Sequence, residues 1–135
     1  MTMAMEATEP RVVKVPVTPL PSPAALETNH VADPGTTSIA LAPAVEAFAT
    51  ELASIGVHVN FGVVADVDVE PGTYMDRQGR SFGADPAVVA AITGTMVEGH
   101  CAAGVAAALK HFPNQGSTVE DPHRLDSFSI NDPDA

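Results

Sequence analysis

One cysteine, Cys101, stands in the 135 residues, which excludes an internal disulfide. In its helix-like Ala/Gly/Val setting, a lone thiol is expected to be a small core residue rather than a nucleophile. Basic residues are also scarce: six Lys and Arg face seventeen Asp and Glu, for a net charge of −11. That excess repels phosphate backbones and anionic lipid surfaces, so neither nucleic acid nor membrane is an expected partner. No apolar stretch approaches the roughly 18 residues that span a bilayer. The Val-rich N-terminal segment is broken by Lys14, Pro16 and Pro19 and offers no signal-peptide core, which predicts a soluble, cytoplasmic chain. Length is limiting as well. A chain of this size suits one domain but falls well short of the about 250 residues of a closed eight-stranded α/β barrel.

Residues 1 to about 40 carry Pro10, Pro16, Pro19, Pro21, Pro23 and Pro34, a composition that favours extended or loop backbone and sets this segment apart from a following domain of about 41–125. From Pro43 the pattern changes. Val45, Phe48, Ala49, Leu52 and Ile55 recur at helical spacing, with Pro43 suited to a first turn and Gly56 to the C-terminal cap. The β-branched run from Val57 to Val64 then reads as a strand, too continuous for a one-sided sheet and so expected to be buried on both faces. A loop of about Val69–Gly83 follows. Asp85 and Pro86 open a second helix, with Val88, Val89, Ile92, Met96 and Val97 as its apolar stripe, ending near Gly104. The run Gly104–Leu109 reads as a second buried strand. Helix, strand, loop, helix, strand predicts a parallel βαβ unit with a right-handed crossover, followed by an acidic tail of about 126–135.

Polar groups gather where these strands end. Asp66 and Asp68 follow the first, and Lys110 and His111 close the second. Arg80 lies in the loop that opens on the same edge, and Asp121 and His123 lie in the loop beyond. Carboxyl ends of parallel strands are where α/β folds place ligands. Lys, Arg and His there can donate fixed hydrogen bonds to sugar oxygens, and Asp121 can orient His123 for general acid/base work. An exposed Asp-x-His in an acidic loop and a strand-end lysine with its head in water are the plainer readings of the same residues. Asp66 and Asp68 are expected chiefly to hold backbone N–H groups, while His58 and His100 are read as structural or surface residues. His100, Cys101, His111 and Asp121 contain no ligand pair at a zinc-like interval, so neither metal nor cofactor is expected.

The series Val59-Asn60-Phe61-Gly62-Val63-Val64-Ala65-Asp66-Val67, Gly79-Arg80-Ser81-Phe82-Gly83-Ala84-Asp85-Pro86, Lys110-His111-Phe112-Pro113 and Asp121-Pro122-His123 resembles the N-terminal domain of glycoside hydrolase family 3, in its β-N-acetylhexosaminidase branch. The resemblance runs from about Leu20 to His123. It implies a partial (β/α) TIM-barrel, an α/β fold, and retaining hydrolysis of terminal N-acetylglucosaminides or related glucosides. It also implies that Arg80, Lys110 and His111 bind the sugar, and that His123 with Asp121 is the acid/base pair. Two departures stand out. Asn114 and Gln115 replace a Gly-His pair that the family usually carries, and Pro122 replaces a small residue inside the dyad. The family's nucleophilic Asp belongs to a later strand and its Asp-Gln-Glu-Gly-Gly segment to earlier ones, and neither is matched in these residues. Two expectations follow: a glycosidase with half of its site on this chain, or a non-catalytic module that binds sugar or another protein. In either case, open barrel edges predict self-association.

Overall fold

The computed structural model describes residues 17–121, in the order α1 (Pro23–Ala32), α2 (Pro34–Ser54), β1 (Val59–Val64), α3 (Tyr74–Gln78), α4 (Pro86–Ala102) and β2 (Ala106–Lys110). His123 therefore lies outside the described residues, as does the acidic tail.

Three helices open in the same way. Ser22 precedes Pro23, Asp33 precedes Pro34 and Asp85 precedes Pro86, and each polar side chain accepts a first-turn N–H: Ala25 at 3.3 Å, Thr36 at 3.0 Å and Ala87 at 2.8 Å. A proline in the first turn gives up an N–H that no helix would have used, so these prolines start helices rather than prevent them. The expectation of irregular backbone up to residue 40 is accordingly overturned from Pro23 onward. Pro43 lies inside α2 rather than in its first turn. Its ring removes a bond to the Ile39 carbonyl, and both residues are exposed, so solvent can take that bond.

The entries to the two strands are also alike. α2 closes with Gly56 at φ 86°, its N–H bonded to Ala53 and that of Val57 to Leu52; α4 closes with Gly104 at φ 73°, its N–H bonded to Cys101 and that of Val105 to His100. Both are helix ends turned by a left-handed glycine, which send the chain back along the helix as a strand. β1 and β2 then pair in parallel, with Val59 opposite Ala106, Asn60 opposite Ala107, Val63 opposite Leu109 and Val64 opposite Lys110. One extra β1 residue between Asn60 and Val63 makes a bulge, at which the Gly62 N–H donates to Asn60 Oδ1 at 2.9 Å. The same Asn60 amide meets Nε2 of the fully buried His100 at 2.8 Å, while His100 Nδ1 donates to the Met96 carbonyl at 2.7 Å. His100 is thus a structural histidine tying α4 to the bulge.

Leu26 of α1, Leu41 and Val45 of α2, Val63 of β1, Phe82, and Val88, Val89, Ile92 and Met96 of α4 form one buried cluster on the helical side of the sheet. The other side differs from expectation. Phe61 is 46% exposed and Leu109 55%, so neither strand is buried on both faces. Among the described residues the sheet has only two strands, and nothing lies over its second face. Cys101 is exposed rather than core, because it follows His100 by one helical step and turns away from the Ile92, Met96 and His100 stripe. The loop after β1 contains the short helix α3.

Candidate active site

Asp66 sits two residues beyond β1 and is almost wholly buried. Three donors surround its carboxylate: the His111 N–H at 3.2 Å and the Gln115 N–H at 2.7 Å on Oδ1, and His111 Nδ1 at 2.7 Å on Oδ2. Buried carboxylates require such partners. One side chain thereby fixes both the ring of a predicted sugar-binding residue and the backbone of the loop that carries it. Asp66 was legible only as a holder of backbone N–H groups, and its grip on the imidazole was missed.

That loop is stitched to the one after β1 at further points. Asn114 Oδ1 accepts the Val67 N–H and its Nδ2 donates to the Val67 carbonyl, both at 3.1 Å, so the side chain extends the strand pairing past the sheet. Gly116 lies so close to Val67 that a Cβ there would stand 2.0 Å from the carbonyl oxygen. The Val69 N–H donates to the Gly116 carbonyl, and the Tyr74 N–H to that of Thr118. Arg77 donates to the Gly72 and Val119 carbonyls, both at 2.6 Å. Residues 115–119 are thus folded back over the carboxyl edge of the sheet, and they lead the chain into half-buried Asp121. Asn114 and Gln115, departures from the family's usual residues, both take part in this seam.

Lys110 closes β2, and its carbonyl accepts the Ala65 N–H at 2.7 Å. Burial holds its ammonium below the ordinary lysine range, and the neighbouring Arg80 charge pushes in the same direction, while Asp66 acts against both. The structure therefore brings Arg80, Lys110, His111 and Asp66 to one edge. Neither the Arg80 guanidinium nor the Lys110 ammonium makes a hydrogen bond to a described residue, which leaves two cations open to ligand oxygens. Asp68, after β1, faces the other way electrostatically. Burial raises its carboxyl above the usual range and the Asp76 and Asp66 charges add to this, against hydrogen bonds from Ser81 and Thr73. Among the described residues no three His, Cys, Asp or Glu side chains cluster as metal ligands would. His100 is buried at the bulge and His111 is at the strand edge, so those two are not brought together.

Comparison with known proteins agrees with this geometry. The family model described as glycosyl hydrolase family 3 N terminal domain matches residues 1–132. The beta-hexosaminidase A of Pseudoalteromonas piscicida is 42% identical over 77 residues, covering 57% of this chain and 13% of that protein. The beta-hexosaminidase of Stenotrophomonas maltophilia strain R551-3 is 40% identical over 75 residues, covering 56% and 22%. The chain thus spans about a fifth or less of the length of these relatives. Native NagZ from Neisseria gonorrhoeae superposes with a TM-score of 0.72 at 27% identity, over 83% of this chain and 32% of that one. Its complex with N-trifluoroacetyl-D-glucosamine gives the same score and identity, over 83% and 33%. The described βαβ unit is part of the (β/α) barrel of these glycosidases, and the chain belongs to glycosyl hydrolase family 3, through its N-terminal domain.

Proposed function

We propose that this chain supplies the sugar-binding edge and the acid/base pair for hydrolysis of β-linked N-acetylglucosaminides. The observation that carries this reading is the grouping of Arg80, Lys110 and Asp66-held His111 at one carboxyl edge of the sheet, with neither cation hydrogen-bonded to a described residue. Arg80, Lys110 and His111 hold the hydroxyls of the sugar. His123, with Asp121 beside it in sequence, protonates the departing oxygen and then takes a proton from water in the second step. The attacking carboxylate comes from residues other than those matched here, so turnover requires a partner segment that carries it. The N-trifluoroacetyl-D-glucosamine complex of the gonococcal relative supports an N-acetylglucosamine-type ligand.

A second reading rests on the same edge: a sugar-binding module without catalysis, since Arg80, Lys110 and His111 are all binding groups. Incubation of the purified chain, together with a separately expressed segment that carries the attacking carboxylate, with a chromogenic N-acetylglucosaminide separates the two. Turnover that disappears in His123→Ala establishes the enzyme. Saturable N-acetylglucosamine binding without turnover, lost in Lys110→Ala, establishes the binding module. Absence of both sinks the two readings together.

A further inference from the structure

Two open cations alone do not specify a sugar. Arg80 and Lys110 are donors only, and a phosphate or carboxylate would satisfy them at least as well as a hydroxyl. The third group at this edge, His111, can be donor or acceptor, and its neighbour decides which. Oδ1 of Asp66 is occupied by the His111 and Gln115 backbone N–H groups, and Oδ2 faces His111 Nδ1 at 2.7 Å. A carboxylate accepts, so Nδ1 carries the hydrogen. A neutral imidazole has only one, so Nε2 is left with a lone pair. The ring keeps a quarter of its side-chain surface open, and Nε2 takes no hydrogen bond from a described residue.

We propose that Asp66 sets the ligand class of this edge: by holding the Nδ1–H of His111 it leaves Nε2 as an acceptor beside two donors, so that a hydroxyl is taken and an anion with no proton to donate is refused. A hydroxyl can accept from Lys110 or Arg80 while donating to Nε2. A proton-free anion such as sulfate presents only lone pairs to that lone pair. Asp66 is in this sense a positioning residue, and it acts through His111 rather than on the ligand. The inference rests on the sugar-binding reading above but can be tested apart from it.

Asp66→Asn is the informative change. Asn Oδ1 can still accept both backbone N–H groups, so the loop clamp is kept, while the amide NH2 replaces Oδ2. The imidazole must then accept at Nδ1 and carry its hydrogen on Nε2, turning the edge into three donors. Histidine-selective 15N NMR on the whole chain, which distinguishes the two neutral tautomers from each other and from the imidazolium, reads the tautomer directly, with His111 assigned by its absence in His111→Gln. The wild type is expected to show the Nδ1–H form and Asp66→Asn the Nε2–H form. Titration with N-acetylglucosamine and with inorganic sulfate, which has no proton to donate, is expected to show the affinity ratio shifting toward sulfate by about tenfold or more in Asp66→Asn, the effect of one mismatched polar contact. A wild-type His111 in the Nε2–H form overturns the proposal without reference to any variant. So does an unchanged sulfate-to-sugar ratio in a folded Asp66→Asn. If the tautomers invert and sulfate binding rises, yet the wild type takes no N-acetylglucosamine, the tautomer inference stands and the sugar reading falls.

Discussion

On the helical side of the sheet, Val45, Val63 and Ile92 are buried in one apolar cluster, whereas at its carboxyl edge the buried side chain around which the chain folds is a carboxylate, Asp66. The first region is held by area removed from water and has no direction. The second is held by donors aimed at particular oxygens, and it loses its form if one donor moves. Stability and site geometry should therefore respond to different substitutions, and four changes test whether they do.

The largest effect belongs to Ile92→Ala, which empties a fully buried position between α4 and its neighbours. A loss of about 2–5 kcal/mol is expected in denaturant unfolding, with the NMR signature of His111 unchanged in the molecules that remain folded. A disturbed His111 would mean that the two regions are mechanically one. Gly116→Ala should do the reverse. Its Cβ would collide with the Val67 carbonyl, so the loop must lift from the β1 side and take the Asn114 and Gln115 contacts with it. About 1–3 kcal/mol of stability is expected to go, but N-acetylglucosamine affinity is expected to drop at least about tenfold, more than that loss alone explains. Equal affinity in the two proteins would show that the seam does not shape the site.

Next in size is an effect on association. The face across from the helices carries Phe61 and Leu109 uncovered, and Phe112 at the edge is 98% exposed. Apolar strand surface of this kind pairs with other copies. Sedimentation is expected to show concentration-dependent association that Leu109→Lys reduces, with little effect on the helical layer. A monomer at all concentrations would mean that this face is quiet despite its composition.

The two regions also differed in how far they could be read from sequence. The βαβ order was legible because Asp85-Pro86 and the glycines at 56 and 104 are local signals with one structural meaning each. Ser22-Pro23 and Asp33-Pro34 carry the same start signal, yet they stand in a proline-dense stretch where composition outweighed position, and α1 with the first half of α2 was missed. Burial of the strands could not be inferred, since an apolar run is the same whether or not something covers its second face. At the site, Lys110, His111 and Arg80 were singled out and do share an edge. The roles of Asp66 and Asn114 depend on contacts across more than forty residues of chain, which no local pattern carries. An acid just past a buried strand's end, facing a Lys-His pair at the end of its neighbour, was the available signal.

The smallest stability effect should have the opposite sign to the core's. Lys110 keeps its charge at a half-buried strand end, where burial and then Arg80 hold its pKa below 10.5. Below that lowered value the amine is protonated in both folded and unfolded chains, and the folded state bears the whole penalty. Between the lowered value and 10.5 the unfolded chain binds more proton, so stability rises with pH across that window and the penalty is gone above it. Lys110→Met removes the charge and keeps most of the volume. It is expected to unfold at higher denaturant than the wild type at neutral pH, with the gap closing as pH approaches 10.5, while N-acetylglucosamine affinity falls. A variant less stable at neutral pH would mean that the ammonium has a folded-state partner worth more than its burial. A more stable one that has lost sugar would place the strain of this chain at the edge that meets the ligand and not in the layer that holds the fold.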